Sequence, residues 1–457
     1  MTVQTFSAAA VCPAGRTGFY AALCLFTVLL LVCIGLQPLP RGGDAAGAEG
    51  DPIRQVSYLA LFAATMVVTR RSTWFSIVPW SFFLVFGWCW LSLLWAIEPG
   101  IALRRVGITT VLAVLVFAAV HCAGARRSFA ALWWALVGVL AVNYAAVLLS
   151  PAGVHHAGET GDLALAGSWR GATMHKNFAG PVCALTVLVL LLDRRPVNVC
   201  LRWLLLAGAA YFLWRTQSKT AMALLPAALL GGLVYMALGR RQRVWILPAA
   251  GSILLSSLPF WAEILGAFNR YLAQPEALTG RTQVWSLLLR YAGEHPWLGA
   301  GFGSFWGVGA RGPVGELVEG WVAGIFSGHN GYLDVLVQLG WPGLALAVLA
   351  FAIAPLSRIL GASGIARRDG GLVVGVLVFT LGHNLTESSL LNRDHPGWVL
   401  FLVAVALVCQ LRWERQTAAL PGFRHVDERV LNGFPAGVAA GAMAPRGAAA
   451  TASVLIQ

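Results

Sequence analysis

The sequence predicts an all-α integral membrane protein of about twelve transmembrane helices, with one large extracytoplasmic loop between the ninth and tenth. Three observations carry that prediction. Hydrophobic residues make up 58% of the 457 and charged residues only 11%, with a mean hydropathy of +0.73, far from the values of soluble domains. Apolar runs recur along the chain, each long enough at about 1.5 Å per residue to cross roughly 30 Å of hydrocarbon. Arginines gather in pairs in the short connections, and the alternating segments of about ten residues that build a membrane β-barrel are missing.

Taken in order, the first run, about 17–36, is longer than the apolar part of a cleavable signal and no small-residue cleavage site follows it, so it reads as an anchor. Further spans are expected near 54–69, 76–97, 104–123, 129–149, 178–193, 199–217, 219–239, 244–262, 332–356, 371–388 and 396–413. With this count Arg70-Arg71, Arg126-Arg127, Arg194-Arg195, Arg240-Arg241 with Arg243, and Arg358 with Arg367-Arg368 share one side, which the positive-inside rule makes the cytoplasm. Both termini are then cytoplasmic. The opposite side receives 37–53, the turn Glu98-Pro99-Gly100, the loop 150–177, the corner Thr216 to Lys219, the long stretch 263–331 and the turn 389–395. Residues 1–413 form one polytopic domain. The tail 414–457, rich in Ala, Gly and Arg and without apolar periodicity, reads as disordered.

The formal charge of +13 would suggest nucleic acid in a soluble protein, but here most of the arginines set topology, and no nucleic-acid partner is expected. Seven of the eight cysteines lie within or at the end of apolar spans and none forms a CxxC pair, so neither disulfides nor zinc are implied.

The anomaly is on the outside. Arg170, Lys176, Arg215, Lys219, Arg270, Arg281, Arg290 and Arg311 lie where basic residues should be scarce, and the acids counted there are Glu159, Asp162, Glu263, Glu276, Glu294, Glu316 and Glu319. Cations near membrane depth are costly without a partner. A membrane-anchored phosphate or pyrophosphate is the simplest anion to supply one, since guanidinium binds phosphate bidentately. Arg170-Gly171 through His175-Lys176-Asn177 sits at the start of a helix, either as an anion site or as a cap at the headgroup level. Lys219, in the corner Arg215-Thr216-Gln217-Ser218-Lys219-Thr220, either snorkels outward or points into a cavity. From Thr279 onward, Arg281, Trp285, Leu288 and Leu289 are spaced as an amphipathic helix lying against the membrane surface. The glycine-rich run Gly299 to Ser304 follows no strand and is not a nucleotide loop. His329-Asn330 precedes the next span, as a cap or as a catalytic pair.

These phrases, in this order, resemble the O-antigen ligase and O-antigen polymerase superfamily of bacterial polyprenyl-linked glycan enzymes. The matching residues are Trp95-Ala96 with Glu98-Pro99, Arg170-Gly171 with His175-Lys176-Asn177 and Gly180, Gln217-Ser218-Lys219-Thr220, Thr279-Gly280-Arg281-Thr282 with Trp285, Pro296 with Gly299 and Gly301, and His329-Asn330 with Gly340 and Gly343. The resemblance implies an inner-membrane enzyme with a periplasmic active site, no metal and no cofactor. The donor would be an undecaprenyl-pyrophosphate-linked oligosaccharide and the acceptor a glycan hydroxyl. Family basic residues that engage the pyrophosphate carry over to Lys219 and Arg281, and the family histidine to His329. Arg170, His175, Lys176, Asn177, Arg215 and Asn330 are the expected substrate-binding residues, with Glu316 and Glu319 as alternative bases. Lys219 stands where ligases commonly show Arg, and His175-Lys176-Asn177 looks like exopolysaccharide polymerases, which favours polymerisation over transfer to lipid A core. A polymerase would call for a flippase and a chain-length regulator as partners. The rival class is a secondary transporter, but few ionisable residues fall at mid-depth, His383 and Glu387 being the nearest, and no broken-helix repeat is visible.

Overall fold

The computed structural model describes residues 15–36, 51–156, 165–193, 195–261, 263, 266, 281–309, 312–314 and 327–419. These are helical throughout, and among them the sole extended pairing is a bridge between Val154 and Trp169. The chain divides into two units, Met1–Trp413 and Glu414–Gln457. The expected disordered tail from 420 onward, Glu316 and Glu319, Arg270, Arg311 and Thr279-Gly280 lie outside the described residues.

The helices are α1 Arg16–Cys33, α2 Pro52–Thr69, α3 Trp80–Leu91, α4 Pro99–Leu149, α5 Lys176–Leu192, α6 Val199–Thr216, α7 Lys219–Ala237, α8 Arg240–Arg243, α9 Ile246–Ser256, α10 Arg281–Glu294, α11 Gly331–Leu360, α12 Arg367–His383 and α13 Pro396–Ala418. Among the described residues six of these, α1, α2, α4, α7, α11 and α13, are long and apolar enough to cross a membrane by those criteria alone. The expected count of twelve is therefore larger than length and apolarity give.

Several elements differ from expectation, each for a local reason. The spans expected at 104–123 and 129–149 are two helices joined at a kink within the 51 residues of α4. Straight, it would run about 75 Å, but Gly124 takes φ 75 and ψ 161, outside helical space, and the chain bends there. The span expected at 244–262 holds only the 11-residue α9, followed by a 3-10 turn whose Pro259 lacks the N–H to continue a helix. Helix α10 is amphipathic as expected, and most of its apolar face meets protein, Leu289 staying exposed. Val284, Leu287 and Leu288 are at most 5% exposed and pack with Leu336 and Val337 of α11 and with Phe305.

The span expected at 371–388 ends at His383. Asn384 stops it: its Nδ2 donates back to the Thr380 carbonyl at 2.8 Å, while its Oδ1 accepts from Ser389 N and Leu390 N at 2.8 and 2.9 Å. The side chain thus folds the following chain onto the helix end.

Helices α1, α4, α5, α12 and α13 supply most of the continuous buried core. Helix α12 packs closely on α7, where a side chain on Gly232 would meet the backbone of Gly371, the small-residue contact that lets membrane helices approach. Large apolar residues on α2, α6, α7 and α9, such as Val56, Trp203, Leu204 and Ile253, are more than 60% exposed, as a face towards lipid requires. Helix α11 is broken at Gly340, with φ 68, just before Pro342. The carbonyls freed by that break are used: Val337 O accepts from Ala300 N at 2.8 Å and Leu339 O from the Trp88 indole at 3.0 Å. The glycine-rich run 299–303 is thereby a packed structural loop.

Candidate functional site

The C-terminal end of α12 meets the N-terminal ends of α5, α7 and α11 and the first residue of α10. A carboxylate sits where they meet. Glu387, in the connection 384–395, accepts from Arg281 NH2 at 2.7 Å and from Asn177 Nδ2 at 2.9 Å through Oε1, while Oε2 lies 3.2 Å from His329 Nδ1. The other arm of Arg281 donates to the Thr386 carbonyl, and the Thr386 hydroxyl donates to that of Thr220 at 3.1 Å. Lys219 is the residue before Thr220; its side chain is exposed, with no partner among the described residues.

Each group is held by its element. Helix α11 begins at Gly331 because Asn330 caps it, accepting from Tyr332 N and Leu333 N at 3.1 Å each, while its Nδ2 donates to the Leu385 carbonyl. Gly331 N is shared between the Asn384 and Glu387 carbonyls at 2.9 and 3.0 Å, which ties the start of α11 to the end of α12. A Cβ at Gly331 would fall on the Asn384 amide, so only glycine fits. His329 itself adopts φ 48, a left-handed conformation uncommon outside glycine, so its ring is presented by a constrained backbone. The preceding residue is fixed on both sides, with Gly328 N donating to Asp334 at 3.0 Å and Gly328 O accepting from the Trp285 indole at 2.9 Å.

Burial alone would push the Glu387 carboxyl up, but the hydrogen bond from His329 and the charge of Arg281 bring it down to about 2. It is therefore an anion, and an anion can only accept. In the hydrogen bond between them His329 Nδ1 is then the donor, and in the neutral ring that tautomer keeps the lone pair on Nε2. The ring is a third exposed, so that lone pair is accessible.

The structure brings Arg281, His329 and Asn177 together and sets Lys219 beside them. The other expected binding residues have internal roles. His175 caps α5, its Nδ1 accepting from Asn177 N at 3.2 Å, and its ring packs on His155, whose Nε2 accepts from Lys176 N at 3.3 Å. Burial first, and His155 second, lower the His175 imidazole to about 4, so it is neutral and able to accept. Arg170 is buried and donates to the Ala152 carbonyl at 2.6 Å. Arg215 lies over the Trp169 ring at 4.8 Å. Lys176 is the first residue of α5 and Asn330 the cap of α11.

Sequence reasoning placed Glu387 inside a span and left it out of the acids able to pair with Arg281; the early end of α12 corrects both. A signal was present: His383-Asn384-Leu385-Thr386-Glu387-Ser388-Ser389 is a dense polar run directly after an apolar one, in a chain where charge is scarce.

Comparison with known proteins falls on the same part of the chain. Residues 203–348 match the O-antigen ligase family. That region holds Lys219, Arg281 and His329. An O-antigen ligase of Pseudomonas aeruginosa is 30% identical over 232 residues, 46% of this chain and 54% of that protein. The exopolysaccharide production protein ExoQ of Rhizobium meliloti is 26% identical over 234 residues, 47% of this chain and 51% of that one. The chain thus spans about half the length of the curated relatives it matches. The family match ends before Glu387, so the carboxylate at the centre of the cluster lies outside it.

Proposed function

We propose that this protein transfers a glycan from an undecaprenyl-pyrophosphate carrier to a sugar hydroxyl at the periplasmic face, polymerising exopolysaccharide or O-antigen repeat units. The observation that carries the reading is the Glu387 carboxylate joined at once to His329 and Arg281. It gives a base with a free Nε2 beside a guanidinium with donors to spare, the two functions that displacement of a pyrophosphate needs.

In the proposed reaction the acceptor hydroxyl gives its proton to His329 Nε2 as its oxygen attacks the anomeric carbon. The bond from that carbon to the pyrophosphate oxygen breaks, and the leaving group keeps the electron pair. Arg281 and Lys219 stabilise the charge that develops there, and attack from the opposite face inverts the anomeric centre. Glu387 acts through His329, fixing its tautomer and favouring the imidazolium as it forms. Asn177 holds the carboxylate in place.

The membrane arrangement proposed with it has twelve crossings. Helix α4 supplies two by folding at Gly124, and the arginines at Arg240, Arg358 and Arg367 lie at the cytoplasmic ends. These arginines interlock, Arg240 with the Gly361 carbonyl, Arg367 with the Met236 carbonyl and Arg412 with the Arg358 carbonyl, which supports a common side. A periplasm-specific reporter placed after Gly309 should be active, and one after Arg241 silent.

The decisive experiment is transfer by the purified protein with a lipid-pyrophosphate-linked repeat unit. Products growing in steps of one repeat are expected, and their loss in Arg281→Ala and His329→Ala at unchanged protein level. A single transfer to lipid A core, with no stepwise growth, would instead establish the ligase reading that the named O-antigen ligase relative favours. Full activity of Arg281→Ala would sink the pyrophosphate assignment.

A further inference from the structure

Where α2 ends, at Arg70 and Arg71, a concavity opens between it and the start of α1. Thr17 and Tyr20 of α1, Val67 of α2 and Ser72 share its wall with the two arginines. Its floor is apolar, because Val68 packs there on the buried Ala21 and Cys122. It is remote from the Glu387 cluster. The opposite end of α2 is the one that reaches the connection carrying Glu387, with Arg54 Nε 3.1 Å from Asp394 and the Tyr58 hydroxyl donating to it at 3.0 Å.

The charge of this wall has one sign. Several arginines elsewhere are tied down: Arg240 donates to the Gly361 carbonyl, Arg367 to that of Met236 and Arg412 to that of Arg358, and Arg195 pairs with Asp193 at 3.0 Å. Arg70 and Arg71 are exposed, and among the described residues neither has a hydrogen bond or an ion pair. The turn that carries them is fixed, since the N–H and the hydroxyl of Ser72 both donate to the Thr69 carbonyl at 2.8 Å. A third guanidinium stands close by, as a side chain at Gly18 would meet that of Arg127. Gly15 has no side chain with which to cap the first N–H groups of α1, so that helix start also favours an anion. No carboxylate lines the wall among the described residues.

An apolar track leaves the concavity along α2. Val67, Ala63, Ala60 and Val56 recur at steps of three and four, hence on one face of the helix, and all four are exposed. The small alanines stand back between the two valines. From Val67 to Val56 the track runs about 16 Å, half of a roughly 30 Å hydrocarbon layer. That is the depth one acyl chain occupies in its leaflet. A cationic end joined to an apolar track of that length matches a lipid, where a soluble phosphate would use the arginines alone.

We propose that this face binds one acidic phospholipid, its phosphate held by Arg70 and Arg71 and one acyl chain lying along α2 from Val67 to Val56. The proposal is independent of the glycosyl-transfer reading.

Its test is lipid retention. Full-length protein is released for native mass spectrometry from micelles holding equal amounts of phosphatidylglycerol and phosphatidylcholine. One phosphatidylglycerol should be retained in preference to phosphatidylcholine. The double variant Arg70→Gln/Arg71→Gln should weaken that retention at least about tenfold. Arg241→Gln/Arg368→Gln, which removes the same charge from exposed arginines on other helices, should leave it unchanged, and free glycerol 3-phosphate should not displace the lipid. Should the first double variant fail to insert, Val67→Glu keeps both arginines but gives them a carboxylate three and four residues away, and is expected to abolish retention. Equal retention of the two lipids, equal loss in the Arg241/Arg368 variant, undiminished retention in Arg70→Gln/Arg71→Gln or in Val67→Glu, or displacement by glycerol 3-phosphate would each overturn the site.

Discussion

Glu387 and His329 face each other across 3.2 Å, carboxylate Oε2 to imidazole Nδ1, although 58 positions separate them in the chain. The pair sets which ring nitrogen is free. Replacing Glu387 with Gln keeps the shape but allows the amide to donate to Nδ1 and reverse the tautomer. Transfer by Glu387→Gln should fall about 10²- to 10⁴-fold, by analogy with other carboxylate–histidine pairs. Its pH–rate profile should move as well, which a merely structural role would not do; an unmoved profile would count against the tautomer argument.

Arg281 shares that carboxylate, so it serves as anion receptor and as brace. Arg281→Lys keeps a charge but loses the two-armed grip on Glu387 and the Thr386 carbonyl. The expected outcome is a variant that folds and retains less than about 1% of transfer. At Lys219 the reverse holds, because its exposed side chain has no geometry to preserve. Lys219→Arg should remain within about threefold of the parent, whereas Lys219→Met should lose about 10²-fold.

Acid should loosen the site in two stages. His175 has its pKa depressed from 6.5 to about 4, so the unfolded chain takes up the proton first and stability falls as pH drops through that window. Glu387 is depressed from 4.5 to about 2, so its contribution, on the order of 3 kcal/mol, is present above 4.5 and is lost towards 2. Thermal melting of the solubilised protein between pH 7 and 3 should show both stages. His175→Asn, which can still cap α5, should shrink the upper one, to which His395, also lowered by burial to about 4, contributes, and Glu387→Gln should remove the lower.

Gly331 touches no expected substrate, yet Gly331→Ala should abolish transfer. The new methyl would displace Asn384, and with it the connection that carries Glu387. Gly331→Ala activity within about twofold of the parent would show that this joint has slack.

The all-helical class and three residues proposed for the candidate site were legible because their signals are local. Apolar runs mark helices, and Lys219, Arg281 and His329 are conspicuous as polar residues at helix starts. Glu387 was not, since a span drawn by hydropathy runs on through Leu385 to Ser388. What ends α12 is the Asn384 side chain reaching back to Thr380 and forward to Ser389 and Leu390, an arrangement with no compositional mark. Likewise the apolar face of α10 announces that it is buried, but not whether lipid or α11 covers it.

The joining of α5, α10 and the start of α11 by Glu387 also has a consequence for biosynthesis. The ribosome delivers Asn177 some 210 residues before Glu387, and Arg281 106 before it. Until the connection after α12 is made, Arg281 and His329 lack the carboxylate that joins them. The proposed transfer therefore waits on a residue made near the end of the chain.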